Sequence, residues 1–178
     1  MKNNYIEKLT EEKFTRIGRN SEMTDWFEFG KNLTMFSKKS GKERRVGEFA
    51  ILIETPWRIF DSVLNEMVIT SEDMAFPSSN HDTTKDFDWM VIGDNLFDEK
   101  AENINLKLET EEVRVSSVEI NDFFELTVMF SNGWLLQTFT CRTITSGGSR
   151  ELWRFFMPTT NHPFLIAHTK GTAIIERD

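Results

Sequence analysis

The stretch Phe124–Thr140, FELTVMFSNGWLLQTFT, decides the fold because apolar and polar residues alternate on both sides of a single reversal. Such alternation predicts two half-buried β-strands. Asn132 and Gly133 lie between them, and both residue types accept the positive φ of a type I′ turn. With those two residues as the loop, Phe130 is expected opposite Leu135. The stretch therefore predicts an antiparallel hairpin.

This register gives the hairpin two unlike faces. The face expected to join the core carries Phe124, Leu126, Val128, Phe130, Leu135, Gln137, Phe139 and Cys141. The opposite face mixes polar residues with large apolar ones. One interpretation is that a second layer covers this face, and the other is that it is an exposed apolar patch that binds a partner. The second interpretation makes Phe123, Met129, Trp134 and Leu136 the candidate partner-binding residues.

Further strands are predicted on both sides of the hairpin, wherever short runs of β-branched and aromatic residues are bounded by turn residues. Their ranges are 25–30, 33–36, 48–54, 57–61, 66–70, 151–157 and 164–175. The last run is expected to break at Lys170-Gly171. The valines and isoleucine of residues 113–120 change parity at Ser116-Ser117, which predicts a β-bulge.

Two helices are predicted. Residues 4–18 carry an imperfect helical stripe that ends at Gly18, and residues 94–103 carry a second stripe with Asp94 as the cap. A strand is expected to follow through residues 104–108. We therefore predict an α+β protein of mainly antiparallel β-structure, as a meander, sandwich or partly open barrel, with an N-terminal helix and one further short helix. A length of 178 residues fits a single domain, residues 1–178.

Composition limits the function. The formal net charge of −8 opposes binding to nucleic acid, because phosphate backbones attract clustered Lys and Arg. No apolar run approaches the length needed to span a bilayer, and the first residues lack the apolar segment of a secretory signal. We therefore expect a cytoplasmic protein without a membrane or nucleic-acid partner. Cys141, the single cysteine, cannot form an internal disulfide.

The sequence contains no recognisable catalytic or metal motif. The three histidines stand outside metal and nucleophile patterns. His81 is followed by Asp82, Asp86 and Asp88, which could hold a divalent cation. This loop lacks the glycine and final glutamate of an EF-hand, so a solvated acidic loop is the favoured interpretation. We predict no catalytic residue, no metal site and no cofactor.

Charge is distributed unevenly along the chain. The basic run 38–45, KKSGKERR, is interpreted as a solvated hairpin tip, with an anion site as the alternative. Residues 94–125 contain ten acidic and three basic side chains. This excess could steer a basic partner toward the region.

Several elements resemble a pattern found in small bacterial proteins of unknown function. The resemblance lies in residues 57–59 (WRI), 69–73 (ITSED) and 126–133 (LTVMFSNG), followed by Leu135, Phe139 and Trp153-Arg154. Some similar proteins are encoded beside toxins and are thought to act as immunity factors. The resemblance implies a β-meander and a role in neutralising a partner.

These observations favour a non-catalytic cytoplasmic binding or regulatory protein, immunity-like in its action, that contacts a protein partner with basic character. The alternative is a small module, an antiparallel barrel whose Phe-rich interior holds an apolar ligand. The oligomeric state is left open, and a homodimer is one arrangement the sequence permits.

Overall fold

The computed structural model describes residues 3–20, 24–37, 41–140 and 150–176, and two antiparallel sheets make up most of it. The six-stranded sheet has the spatial order β1 (Phe14–Arg19), β2 (Asp25–Ser37), β3 (Lys42–Ile53), β9 (Glu151–Phe156), β10 (Phe164–His168) and β11 (Gly171–Ile175). The five-stranded sheet has the order β5 (Glu66–Thr70), β4 (Trp57–Asp61), β8 (Trp134–Thr138), β7 (Leu126–Phe130) and β6 (Val115–Ile120).

The helical elements of the described residues are two α-helices and two 3₁₀ segments. Helix α1 (Asn3–Ile6) continues into a 3₁₀ turn (Glu7–Leu9), a 3₁₀ helix (Ser71–Ala75) follows β5, and α2 (Leu96–Thr110) precedes β6. The prediction of an α+β protein with mainly antiparallel strands is confirmed. None of the helices in the described ranges has the length and apolarity required to cross a bilayer.

The sheets pack face to face around one continuous apolar core. Aromatic rings make the main contacts between them: Phe27 meets the edge of Trp57 at 4.8 Å between centroids, and Phe14 stacks on Phe130 at 5.0 Å. Each fully buried aromatic side chain stabilises the fold by about 1.5–3 kcal/mol. The sheets do not close into a barrel, so the sandwich is the form that the structure adopts.

Helix α2 is longer than the sequence predicts. The Asn95 side chain accepts a hydrogen bond from the Asp98 backbone N–H at 2.9 Å, so Asn95, and not Asp94, is the cap. The strand predicted for residues 104–108 is wrong. Ile104 and Leu108 are buried at helical spacing, whereas Leu106 faces solvent.

The N-terminal helix predicted for residues 4–18 is largely wrong, because residues from Phe14 onward form strand β1. A register shift between Phe14 and Arg16 places an extra residue in β1. The buried residues Phe14 and Ile17 are consequently three positions apart, which imitates the spacing of a helix.

The hairpin reverses direction where predicted, but the predicted register differs from the observed one by one position and is wrong. Leu135 pairs with Met129, not with Phe130. The Gly133 N–H donates to the Phe130 carbonyl at 3.0 Å, and Gly133 has φ +88°. These features define a three-residue loop with glycine in the left-handed region instead of a two-residue type I′ turn.

Other local predictions are confirmed. A register shift between Val115 and Ser117 marks the β-bulge in β6. Strands β10 and β11 form a hairpin with the break at Lys170-Gly171. Strands β2 and β3 pair up to Ser37 and Lys42, and residues 42–45 of the basic run belong to β3, whereas residues 38–40 lie outside the described residues. Cys141 lies outside the described residues.

Candidate functional site

A cavity of about 320 Å³ opens beside the start of strand β2. Its lining comes from β2, the end of β3, the connection to β4, the 3₁₀ helix and the loop before α2. The lining residues are Asp25, Ile53, Glu54, Thr55, Pro56, Ser71, Glu72, Met74, Ala75 and Trp89. Its volume lies at the lower end of the range of small-ligand pockets.

Asp25 is the most unusual residue of this lining. It is only 3% exposed, and its position follows from the alternation of β2, which puts Asp25 on the same side as the buried rings of Phe27 and Phe29. Its Oδ2 accepts a hydrogen bond from Trp57 Nε1 at 2.6 Å. Its Oδ1 is buried without a hydrogen-bond partner among the described groups. A buried acceptor without a donor costs about 1–3 kcal/mol.

The environment of Asp25 opposes its ionisation. Burial raises the pKa of Asp25 from 3.8 to about 7, and the negative charge of Asp98 acts in the same direction. The hydrogen bond from Trp57 and the positive charge of Arg19 lower this pKa and only partly offset the burial. A carboxyl group with a pKa near neutrality, in a cavity, is a recognised mark of a functional site.

Arg19, whose positive charge lowers the pKa of Asp25, is hydrogen-bonded to a different carboxylate. Arg19 donates from Nε and Nη2 to the two carboxylate oxygens of Asp98 at 2.9 and 2.8 Å. Both side chains of this pair are largely buried. Because the fork of Arg19 is engaged by Asp98, the unpaired oxygen of Asp25 receives no donor from it.

The remaining charge of the cavity is negative. Glu54 and Glu72 are exposed at its mouth, and the described lining contains no Lys, Arg or His. The lining also includes apolar surface from Ile53, Met74 and Trp89. The cavity therefore combines apolar walls with three carboxyl groups.

The 3₁₀ helix that forms one wall is held in place by polar contacts. A capping box joins Thr70 and Asp73, and the Thr70 N–H donates to Asp73 Oδ2 at 2.8 Å. Lys100 of α2 pairs with the same carboxylate at 3.0 Å. Ser71 Oγ accepts from the Trp57 N–H at 3.2 Å. The wall is thus tied to both α2 and β4.

The structure does not bring the four predicted partner-binding residues onto one surface. Phe123 is 71% exposed in the connection before β7, and Met129 is partly buried on the outer face of the five-stranded sheet. Trp134 and Leu136 are 4% and 0% exposed and belong to the core. The one-position change of register moves these two inward and puts Leu135 on the outer face instead.

The contacts of Trp134 are made within the fold. Its Nε1 donates to Asp61 Oδ2 at 3.1 Å, and Lys107 Nζ lies 4.9 Å from the centroid of the ring. Two backbone N–H groups, of Val63 and Leu64, donate to Asp61 Oδ1. These hydrogen bonds lower the pKa of Asp61, and the one from Leu64 has the largest effect. The side chain of Trp134 is therefore held at its Nε1 by Asp61 and over its ring by Lys107.

The loop around His81 borders a second cavity, of about 370 Å³. His81 Nδ1 lies 2.7 Å from Asp94 Oδ1, and this hydrogen bond raises the pKa of His81. Asp82 caps its own loop by accepting from Thr84, which lowers the pKa of Asp82. Within the described residues, no group of three or more His, Cys, Asp or Glu is arranged to hold a metal ion.

Sequence reasoning did not single out Asp25. A signal was present, because the predicted strand 25–30 places Asp25 on the same face as Phe27 and Phe29. An acidic residue on an apolar strand face must find a partner or lose its charge. Identifying the cavity itself required knowledge that the 3₁₀ helix and Trp89 lie beside this strand.

The arrangement defines a two-sheet sandwich with an acidic, partly apolar cavity at one side. Comparison with known proteins adds no family to this description, because no protein-family model, curated protein or solved structure matches the chain.

Proposed function

We propose that the protein is a non-catalytic binding protein that acts by contact with a partner protein, and that the Asp25 cavity is the centre of this contact. The observation that supports the proposal is the unpaired Oδ1 of a buried Asp25 that lines an open cavity. A donor group of the partner would remove the cost of this unpaired oxygen. The free protein carries this cost and the complex would not, so the difference would favour binding at the cavity.

Charge supports a partner with basic character. The chain carries a net charge of −8, and Glu102 and Glu109 are exposed on α2 in addition to Glu54 and Glu72 at the cavity. Such a distribution raises the association rate of a cationic partner at low salt. We expect the association rate to fall as ionic strength increases, because mobile ions screen exposed charges.

The biological setting is part of the proposal. The resemblance of residues 57–59, 69–73 and 126–133 to small bacterial proteins, some of them immunity factors, suggests a cytoplasmic bacterial regulator. A toxin with a basic surface is the class of partner that fits both this resemblance and the charge of the chain.

Affinity capture from a bacterial host with two variants of one residue tests the proposal. Ala75 is exposed and lines the cavity, so Ala75→Trp would fill the cavity without disturbing the core, and Ala75→Ser is the matched control. We expect wild type and Ala75→Ser to retain one protein in a constant stoichiometric ratio, and Ala75→Trp to lose it. Equal recovery by all three would place the contact elsewhere, and no stoichiometric protein in any sample would contradict the proposed function.

A small-molecule ligand is the second candidate, and the volume of the cavity is the observation in its favour. Such a ligand would sit in the Asp25 cavity and not inside a barrel, since the space between the sheets is occupied by the core. Native mass spectrometry of the purified protein decides between the two. A constant added mass of a few hundred daltons that Ala75→Trp abolishes would favour the small molecule.

A further inference from the structure

We infer that the Asp25 cavity binds a guanidinium group at the end of an alkyl chain, as in an arginine side chain presented by the partner. This inference rests on the proposed function, because it names the group that enters the proposed binding site.

The charges of the cavity favour a cation. Asp25 lies in the lining, Glu54 and Glu72 stand at its mouth, and the described lining supplies no positive charge in return. Arg19, the cation whose charge lowers the pKa of Asp25, is already engaged by Asp98 through two hydrogen bonds. An anionic ligand would meet repulsion from each of these carboxyl groups, whereas a cation would neutralise them.

The walls suit an alkyl chain that leads to the charge. Ile53 and Met74 are buried apolar residues of the lining, and the ring of Trp89 is partly exposed beside them. Long cationic side chains bury their methylene groups against such surface while the charged end reaches a polar partner. A cavity of about 320 Å³ suits one such side chain better than a larger ligand.

The acceptors favour guanidinium over ammonium. The unpaired Oδ1 of Asp25 is buried, while further acceptors, the hydroxyl of Ser71 and the carboxylate of Glu72, belong to the 3₁₀-helix wall. A planar group with five N–H donors can bond to separated acceptors at once, and it loses less hydration free energy on burial than an ammonium group does. Guanidinium also stacks on indole rings, and Trp89 provides one.

Binding of a cation at this position is linked to pH. The charged groups that face Asp25 are Arg19 on β1 and Asp98 on α2, with Glu54 and Glu72 at the mouth. A bound guanidinium favours the ionised form of Asp25, so binding releases a proton wherever the free protein still holds it. Because burial raises the pKa of free Asp25 to about 7, affinity is expected to increase between pH 6 and pH 8.

The test compares three small probes by NMR of the tryptophan indole N–H signals: Nα-acetylarginine amide, its neutral isostere Nα-acetylcitrulline amide, and Nα-acetyllysine amide. We expect the arginine probe to shift the signals of Trp89 and Trp57 saturably. We expect the citrulline and lysine probes to bind at least about tenfold more weakly than the arginine probe. The citrulline probe lacks the positive charge, and the lysine probe lacks the planar group with its fork of N–H donors. Affinity for the arginine probe should rise several-fold from pH 6 to pH 8.

Two variants complete the test. Asp25→Asn should lower affinity for the arginine probe by about tenfold and abolish its pH dependence, since the loss of one buried charged partner costs at least that much. Glu72→Gln changes an exposed residue, so it retains the fold, and it should weaken binding several-fold. An unchanged affinity in both variants would overturn the inference.

The outcomes separate this inference from the proposed function. Equal binding of the arginine and citrulline probes, or of the arginine and lysine probes, would overturn the assignment of guanidinium while leaving the cavity as a binding site. Failure of the arginine probe to shift either tryptophan signal, with capture of a partner still sensitive to Ala75→Trp, would also reject guanidinium alone. Capture that is insensitive to Ala75→Trp would reject the site itself.

Discussion

Replacing Asp25 by Asn should stabilise the protein, and the gain should depend on pH. Asparagine keeps an acceptor for the Trp57 indole N–H but has no charge to bury. In the wild-type protein, burial raises the pKa of Asp25 from 3.8 to about 7, so the folded state holds a proton that the unfolded chain releases. The free energy of unfolding therefore falls as pH rises through this window.

The magnitude follows from these two pKa values. The free-energy cost of ionising the buried Asp25 is absent below pH 3.8, which is its pKa in the unfolded chain. It increases with pH up to about 7, which is its pKa in the folded protein, and is constant at higher pH. Linkage sets it at about 4 kcal/mol at pH 8 and about 1.5–2 kcal/mol at pH 5. The variant should thus gain about 2–3 kcal/mol of stability relative to wild type between pH 5 and pH 8.

Urea unfolding of both proteins at pH 5, 6, 7 and 8 measures this difference. Asp61→Asn is a control of opposite sign, because hydrogen bonds from Leu64 and Val63 lower the pKa of Asp61. The stability that Asp61 contributes is fully present above its unfolded pKa of 3.8 and is lost only as pH falls through its lower folded pKa, so the loss in Asp61→Asn should be constant between pH 5 and pH 8. A constant stability difference between wild type and Asp25→Asn across this range would refute the reasoning about Asp25.

Three further predictions concern the hairpin and the His81 loop. In thermal or urea unfolding, Leu136→Ala should destabilise the protein by about 2–5 kcal/mol. Leu135→Ala should destabilise it by clearly less, because only Leu136 is fully buried. Equal losses of stability in the two variants would contradict the observed register. Gly133→Ala should cost about 1–3 kcal/mol because φ is +88° there, and an unchanged unfolding midpoint would exclude this strain. The pKa of His81, followed by NMR of its ring protons, should lie above 6.5 and fall in Asp94→Asn; an unshifted titration would exclude the ion pair.

The sequence predicted the strands well because β-branched and aromatic residues alternate clearly in most of them. Strands β4 and β5 have the predicted bounds, and the reversal at residues 132–133 is real. Two of the failures share a cause. A single extra residue at the bulge of β1, and another in the loop before Trp134, shifts every later side chain to the other face. Alternation revealed the bulge of β6 in advance, because the apolar residues there change parity, but it did not reveal these two insertions.

The site was beyond sequence reasoning for a different reason. Asp25, Glu72 and Trp89 are separated by long stretches of chain, and only the packing of the 3₁₀ helix beside β2 brings them to one cavity. Their individual contexts are ordinary. By contrast, Trp134 looked like an exposed anchor only while the two-residue turn was assumed, and the third loop residue makes it a core side chain.

The strand order of the six-stranded sheet has a consequence for synthesis on the ribosome. Strand β3 pairs with β2 on one edge, but its other edge, at Ala50–Ile53, pairs with residues 153–156 of β9. Roughly 100 residues must be translated between these partners, which takes roughly 5–20 s at ordinary elongation rates. During that interval the apolar run of β3 presents an open edge to other nascent chains. We therefore expect the nascent chain to be more prone to aggregation before β9 is made than after it, and a chaperone that covers β3 would act in that interval.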